Sequence, residues 1–120
     1  MIFVGTDIVL IARIDKLIKE RGEHFLNHIF TVSEQDICNN KSTPSIHYSG
    51  KFAAKEAVQK ALLSSKSVLA ITLRSIEIQN DNEGMPLVQV NRSGVDFKNL
   101  RVSISHVGNY ATATAILELK

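Results

Sequence analysis

The chain has 120 residues, of which 44% are hydrophobic, 22% charged and 6% aromatic, with a formal net charge of +2. This length predicts one domain over residues 1–120 with a mainly aliphatic core, and the small charge argues against a nucleic-acid partner. The single cysteine, Cys38, excludes a disulfide framework or a zinc cluster. The apolar start lacks the basic residues of a signal peptide, and no run of about 18 apolar residues predicts a membrane span. We therefore expect a cytoplasmic protein.

The first forty residues predict one strand and three short helices. The β-branched run at residues 2–9 is typical of a buried strand. Apolar residues at helical spacing over 11–18 predict a helix, and a second helical patch follows at 25–30. Residues 31–34 have the Thr-x-x-Glu pattern of a capping box, so a third helix is expected through about Cys38.

A long helix is predicted over residues 44–63, after the polar loop at 39–45. Gly50 inside this helix suggests that another part of the chain approaches closely. The helix has an apolar stripe whose three alanines also allow close approach of a backbone: Ala54, Ala57, Val58, Ala61 and Leu62. Glu56 and Lys60 lie four residues apart on the opposite side, where such a pair is usually a solvated ion pair.

The C-terminal half predicts strands. Residues 74–79 alternate, a turn follows at 80–84, and 87–90 returns as the partner strand. Residues 100–107 and 110–119 predict a second hairpin, joined by a two-residue turn with glycine first. The expected fold is α+β, with a long helix packed on a mainly antiparallel sheet.

Asp7 is a carboxylate in an otherwise apolar strand. If it is buried, it needs a charged partner, a metal or several hydrogen bonds. It could cap a helix, pair with Arg13 or be exposed at the strand end; with Glu56 it could hold Mg²⁺, which prefers oxygen ligands. Lys60, one turn beyond Glu56, could be half of a surface ion pair or could neutralise a phosphate.

His106 is in phase with Val102 and Ile104 and is therefore expected to face the interior. A histidine in that position is more often a satisfied core residue than a catalytic one. Ser103 and Ser105 nearby lack the glycine-rich turn that surrounds a nucleophilic serine, so no catalytic triad is indicated.

The first predicted helix carries four basic residues: Arg13, Lys16, Lys19 and Arg21. They could be a solvated basic face, or they could form a docking surface for an acidic helical protein. Cys38 is interpreted as a plain thiol rather than a nucleophile.

Three segments, in this order, resemble the holo-acyl-carrier-protein synthase family of 4′-phosphopantetheinyl transferases. Residues 4–8 match its G-x-D-I strand, residues 52–61 its F-A-x-K-E-A-x-x-K-A helix, and residues 102–106 its V-S-I-S-H strand. The resemblance covers nearly the whole chain. It implies the 4′-phosphopantetheinyl transferase fold and transfer of the phosphopantetheine group of coenzyme A to a serine of apo-acyl carrier protein, with release of adenosine 3′,5′-bisphosphate.

The resemblance also implies a magnesium site. Asp7 and Glu56 match the Mg²⁺ ligands of the family, with coenzyme A supplying a phosphate oxygen. Lys60 matches the lysine that neutralises the diphosphate and assists the leaving phosphate. Glu56, directly or through a bound water, is the candidate base.

The remaining implied contacts concern coenzyme A and the carrier protein. His106 and Lys51 match positions in the coenzyme A pocket, to which Lys60 and Ser64 are added. Arg13 matches the arginine that meets the acidic carrier protein, with Lys16, Lys19 and Arg21 carried over only as a basic patch. The family forms homotrimers with the site between subunits, so a homotrimer is expected.

Two departures from the family pattern concern coenzyme A binding. Leu63-Ser64-Ser65-Lys66 stands where the family usually has Gly-Thr-Gly, and Lys51 replaces an arginine, which keeps the charge but loses bidentate geometry. The altered loop leaves one alternative, a catalytically silent relative that binds coenzyme A or carrier protein. A small RNA-binding module is the second alternative, opposed by the low aromatic content and small net charge.

Overall fold

The computed structural model describes residues 1–120. The chain begins with a strand and four helices and ends with four strands. The first five elements are β1 (Ile2–Leu10), α1 (Ile11–Arg21), α2 (Glu23–Ile29), α3 (Val32–Asn39) and α4 (Pro44–Ser64). A 3₁₀ turn (Leu73–Ser75) then leads into β2 (Ile76–Asn80), β3 (Pro86–Val90), β4 (Asn99–Val107) and β5 (Tyr110–Glu118).

The strands form two antiparallel sheets. In the larger one, β5 lies between β1 and β4, and Gly5 of β1 stands opposite Ala115. The second sheet is the hairpin of β2 and β3. The predicted α+β class with a long helix on an antiparallel sheet is confirmed; the sheet is divided in two, a division that strand patterning does not predict. None of the helices has the length and apolarity that crossing a bilayer requires.

Local sequence signals account for several of the element ends. In the predicted capping box of α3, Thr31 Oγ1 accepts a bond from Glu34 N at 3.3 Å, and Glu34 Oε1 accepts one from Thr31 N at 2.8 Å. Pro44 occupies the first turn of α4, where its missing N–H costs nothing. The β4–β5 turn needs a positive φ at its first residue, and Gly108 supplies it with a φ of 56°.

Helix α4 is the centre of the hydrophobic core. Nearly all of its side chains between Tyr48 and Leu62 are buried, including charged ones. The sheet meets the helix through small side chains, because Ala111, Ala113 and Ala115 of β5 are all buried against it. Small residues on both surfaces let the helix and the sheet approach closely.

Two glycines mark where the packing on α4 is tightest. A Cβ atom on Gly5 would lie 1.9 Å from the carbonyl oxygen of Ala57 and 2.8 Å from Ala61 N. A Cβ on Gly50 would meet only the end of the Ile104 side chain, at 3.1 Å. The close approaches expected at the alanine stripe and at Gly50 are thus both observed, but only Gly5 faces a backbone that cannot move aside.

Gly5→Ala should therefore destabilise the protein strongly. The added methyl must push β1 off α4, and overpacking of this kind costs about 3 kcal/mol or more when backbone is displaced. Chemical denaturation measures the loss. Gly50→Ala is the matched control: its helix propensity gain of about 1 kcal/mol offsets a contact that Ile104 can relieve, so stability should change by less than about 1 kcal/mol. Wild-type stability of Gly5→Ala would contradict the packing account.

Candidate active site

One narrow face of α4 stays open in a helix that is otherwise buried. Between residues 48 and 62, the only side chains that are not buried are Glu56, Gln59 and Lys60. Glu56 and Lys60 are one turn apart, so they lie on the same side of the helix. The open face therefore presents a carboxylate and an ammonium group side by side.

Asp7 of β1 completes this face. Gly5 and Asp7 are two residues apart in a strand, so both point towards α4. Lys60 Nζ donates to Asp7 Oδ1 at 3.2 Å and to the Thr6 carbonyl oxygen at 3.0 Å. The Asp7 side chain is 9% exposed, whereas that of Lys60 is 55% exposed. A nearly buried carboxylate thus faces a cation that can still reach solvent or a ligand.

This geometry excludes several of the alternatives for these residues. Lys60 forms its ion pair with Asp7, and the solvated pair of Lys60 with Glu56 that the spacing suggests is not formed. Asp7 forms no ion pair with Arg13, and helix α1 is preceded by Leu10 without a side-chain cap. The structure brings Asp7, Glu56 and Lys60 together.

Burial and the neighbouring Asp7 carboxyl group disfavour ionisation of Glu56. Burial, followed by the hydrogen bond and negative charge of Asp7, raises the pKa of Glu56 to about 7, against the opposing effect of Lys60 and Arg13. The second oxygen of Asp7, Oδ2, is buried and has no hydrogen-bond donor while Glu56 is ionised. A buried acceptor without a donor is uncommon in proteins. The pair is therefore suited to share a proton or a cation.

The donor set fits Mg²⁺. No third histidine, cysteine, aspartate or glutamate joins the two carboxylates in a metal-binding cluster. Mg²⁺ is usually held by one or two carboxylates, with water and substrate phosphates completing its shell. Asp7 and Glu56 are the two residues that could hold it here.

A second group of basic residues lines a surface pocket of about 250 Å³ between α4, β4 and the β2–β3 hairpin. Two residues that line the pocket, Lys51 and His106, match coenzyme A positions in the sequence analysis. Two others, Lys41 and His47, were not predicted to lie there. Burial lowers the pKa of Lys51, and burial together with the charge of Lys41 lowers the pKa of His47. Four basic side chains around one pocket are suited to an anion. The spacing of His47 and Lys51, one helical turn apart, is the sequence signal that could have predicted this pocket.

His106 does not face the interior as its phase predicted. Its side chain is exposed, as are those of its neighbours Ser105 and Val107, although Val102 and Ile104 are partly covered. The inward side of β4 therefore becomes exposed near the end of the strand. His106 lines the rim of the basic pocket instead of belonging to the core.

Ser64 lies apart from this pocket. It is exposed at the end of α4, and its hydroxyl donates to the Ala61 carbonyl oxygen at 3.3 Å. Between Lys51 and Ser64 the helix rises by about 20 Å. Within one chain Ser64 therefore cannot bind the same group as Lys51 and His106, but it follows Lys60 by one turn on the open face.

Acidic residues of α1 itself partly neutralise its basic face. Lys19 pairs with Asp15 at 2.8 Å and Lys16 approaches Glu20 at 3.9 Å. Neither Arg13 nor Arg21 has such a partner, so these two arginines carry the free positive charge of the helix. Arg13 is close enough to Glu56 to lower its pKa, so this face adjoins the Asp7–Glu56 site.

Comparison with known proteins identifies relatives along nearly the whole chain. A family model described as the 4′-phosphopantetheinyl transferase superfamily matches residues 3–115. A protein of Protochlamydia amoebophila named holo-acyl-carrier-protein synthase is 43% identical over 116 residues, which are 94% of each chain. One of the same name from Thermodesulfovibrio yellowstonii is 40% identical over 95% of this chain and 96% of its own.

Solved structures share the fold. A Chronobacterium ammoniagenes protein in complex with coenzyme A superimposes with a TM-score of 0.86 at 27% identity, covering 100% of this chain and 98% of the other. Helicobacter pylori holo-acyl-carrier-protein synthase, also in complex with coenzyme A, gives a TM-score of 0.79 at 31% identity over 96% and 99% of the two chains.

The crowded carboxyl pair predicts a pH dependence of stability in metal-free protein. The folded pKa of Glu56, about 7, lies above its ordinary value of 4.5, so the folded state holds more protons between these values. The contribution of Glu56 to the free energy of unfolding is fully present below about pH 4.5 and is lost as the pH rises through 7. Glu56→Gln cannot ionise and should remove this slope, which leaves the variant more stable than wild type at pH 8.

Urea denaturation with a chelator at pH 5 and pH 8 measures this effect. Glu83→Gln, an exposed change in the β2–β3 turn, is the control and should keep the wild-type slope. A Glu56→Gln protein with the same loss of stability between the two pH values would show that the carboxyl pair is not strained.

Proposed function

From the membership of this chain in the holo-acyl-carrier-protein synthase family of the 4′-phosphopantetheinyl transferase superfamily, we propose the complete reaction that it catalyses. It transfers the 4′-phosphopantetheine group from coenzyme A to a serine of apo-acyl carrier protein and releases adenosine 3′,5′-bisphosphate. Coenzyme A complexes of structural relatives support the donor. The observation that carries the proposal is the convergence of Asp7, Glu56 and Lys60 on the one open face of α4.

The reaction requires alignment, charge neutralisation and one proton transfer. The serine hydroxyl oxygen attacks the β-phosphorus of the coenzyme A diphosphate, and the bond from that phosphorus to the bridging oxygen breaks. The serine proton leaves to a base, and the leaving adenosine bisphosphate retains the bridging oxygen. Holding both substrates in line and compensating negative charge supply most of the acceleration in such transfers.

Asp7 and Glu56 are the residues that would hold Mg²⁺. When bound there, the ion would polarise the phosphoryl oxygens and neutralise part of the diphosphate charge. Asp7 Oδ2 supports this assignment, because it is a buried acceptor that has no donor when Glu56 is ionised. Two carboxylates with no other protein ligand leave room for substrate oxygens.

Lys60 is proposed to neutralise charge on the leaving group, and Glu56 to accept the proton. Lys60 Nζ uses two of its three donors on Thr6 and Asp7, which leaves one for a phosphate oxygen on the leaving group. Glu56 is the proposed acceptor of the serine proton, directly or through a bound water.

The basic pocket of Lys51 and His106 is the proposed site for a further phosphate of coenzyme A. Lys51 Nζ donates to the Ile78 carbonyl oxygen at 2.9 Å and keeps two donors for an anion. Lys41 and His47 add positive charge to the same pocket. Ser64, at the other end of the helix, is instead proposed to contact the diphosphate next to Lys60.

The outer face of the three-stranded sheet supports a homotrimer. It exposes a row of large apolar side chains from β1 and β5: Ile2, Val4, Ile8, Leu10, Tyr110 and Ile116. A patch of this kind on a folded domain marks an interaction surface. β1 is an edge strand of this sheet and carries Asp7 on its other face, so a second subunit that packs across this edge would lie close to the active site. The cytoplasmic location stays a prediction.

The first test is the gain of phosphopantetheine mass by an apo-carrier protein incubated with enzyme, coenzyme A and Mg²⁺. Wild type should modify the carrier; Asp7→Ala and Glu56→Gln should slow turnover by orders of magnitude, because losing a metal clamp removes several kcal/mol and each 1.4 kcal/mol is about tenfold. Asp96→Asn removes an exposed carboxylate elsewhere and should retain full activity. Near-normal turnover of both folded site variants would exclude this assignment.

The second prediction concerns carrier docking on α1. Arg13→Ala should raise the Michaelis constant for carrier protein by roughly tenfold or more, about 1.5–3 kcal/mol, because an unpaired arginine loses a charged contact with the acidic partner. Lys19→Ala is the control, since its charge is already balanced by Asp15, and should have a much smaller effect. Unchanged carrier affinity of Arg13→Ala at low salt would leave the basic face without a partner.

The third prediction concerns the assembly. Ile8→Lys places a charge in the exposed apolar row and should dissociate the trimer in analytical ultracentrifugation, with loss of transferase activity. Val32→Lys alters an equally exposed apolar residue, 64% accessible, away from this sheet, and should leave both unchanged. A wild-type protein that is monomeric and fully active would refute the trimer.

A further inference from the structure

The most deeply buried charges of this protein are not part of the candidate active site. Lys55 and Glu34 are both completely buried and form an ion pair, and Lys55 Nζ also donates to the carbonyl oxygen of Ile76. The other carboxylate oxygen of Glu34 accepts a bond from Ile78 N at 2.7 Å. Burying two charges is costly, and a well-packed apolar pair is often as stable. The ion pair therefore calls for a role other than stability.

The side chains of this pair bond to the free edge of β2, where a further strand would otherwise bond. Strand β2 is bonded to β3 on one side only, and its other edge faces the helices. There Lys55 binds the Ile76 carbonyl, Lys51 binds the Ile78 carbonyl, and Glu34 binds the Ile78 N–H. Side chains of α3 and α4 thus satisfy successive backbone groups of β2. Because hydrogen bonds are directional, these contacts fix the orientation of α4 relative to the hairpin more tightly than apolar packing would.

The opposite side of α4 is also fixed. Successive residues of an α-helix are rotated by about 100°, so Lys55, Glu56 and Ala57 point in three different directions. Lys55 points to β2, and the backbone at Ala57 lies against Gly5. Glu56, with Lys60 one turn later, lies between these two contacts. The active-site face of α4 is held from both sides.

We propose that the Lys55–Glu34 ion pair is a positioning device that sets the rotation of α4 and thereby aims Glu56 at Asp7. The proposal rests on the function proposed above. A helix rotation of about 20° would move a group near the outer radius of the helix by about 2 Å. A misplacement of about 1 Å can cost a catalytic site roughly a hundredfold in rate. A modest change at Lys55 would therefore be magnified at its neighbour.

The test compares Lys55→Met, which keeps an unbranched side chain one atom shorter than lysine and removes its charge, with Ile78→Ala. Ile78 is completely buried, so Ile78→Ala should destabilise the same strand, while the backbone groups that the ion pair contacts are chemically unchanged. For Lys55→Met, calorimetry at a temperature where the protein is folded should show Mg²⁺ binding weakened by about tenfold or more. Its kcat should fall at least about tenfold, while KM for coenzyme A changes less than about threefold. For Ile78→Ala, the Mg²⁺ affinity, kcat and KM for coenzyme A should each stay within about threefold of the wild-type values.

Wild-type Mg²⁺ affinity and kcat in folded Lys55→Met would overturn the proposal. Equal losses in Ile78→Ala would overturn it too, since any loss of stability would then suffice. If Lys55→Met does not fold, Glu34→Gln takes its place; it retains an acceptor for Lys55 and should weaken Mg²⁺ binding in the same direction by a smaller factor. Unchanged Mg²⁺ binding in this variant would count against positioning.

Failure of the proposed function gives a different result. If wild type and Glu56→Gln bind Mg²⁺ equally, the metal assignment is wrong, and positioning is then judged from a crystal structure of Lys55→Met, or of Glu34→Gln if that variant was needed. A shift of the Glu56 carboxylate of more than about 1 Å relative to Asp7 supports positioning, and an unmoved carboxylate overturns it.

Discussion

The contact of Gly5 with the backbone of α4 is the constraint on which the rest of this structure depends. A side chain at Gly5 would overlap the Ala57 carbonyl, so only glycine allows β1 to lie this close to the helix. Asp7 points in the same direction two residues later and is thereby brought within reach of Lys60. The short distance between β1 and α4 that Gly5 allows is therefore what lets Asp7 reach Lys60.

Placing two carboxyl groups next to each other in the site is costly. Burial raises the pKa of Glu56 to about 7, and the hydrogen bond and negative charge of Asp7 add to this effect, because the two carboxyl groups repel each other when both are ionised. Lys60 and Arg13 compensate only part of that repulsion. Metal-free protein therefore stores electrostatic strain at this position, which a divalent cation would relieve. Such local destabilisation is typical of sites where binding and chemistry occur.

Much of the fold could be predicted because local signals are strong where they occur. The Thr31–Glu34 capping box, the glycine-first turn at Gly108 and the alanine stripe of α4 each have one dominant structural solution. The buried Lys55–Glu34 pair could not be predicted from the stripe, because a charged residue in a helical pattern is normally assigned to solvent. The distance from Ser64 to Lys51 follows from the predicted helix and its rise per residue, but the exposure of His106 depends on where β4 ends relative to the elements packed on it. Alternation along a strand does not contain that information.

The central claim is that Asp7 and Glu56 hold one divalent cation beside the diphosphate of coenzyme A. Anomalous diffraction from crystals grown with Mn²⁺ and coenzyme A tests it most directly, because the Mn²⁺ signal locates the ion independently of activity. The account predicts one strong peak in contact with Asp7 Oδ2, a Glu56 oxygen and a diphosphate oxygen. A coenzyme A complex in which Mn²⁺ lies elsewhere, while Asp7 Oδ2 stays without a partner, would contradict it.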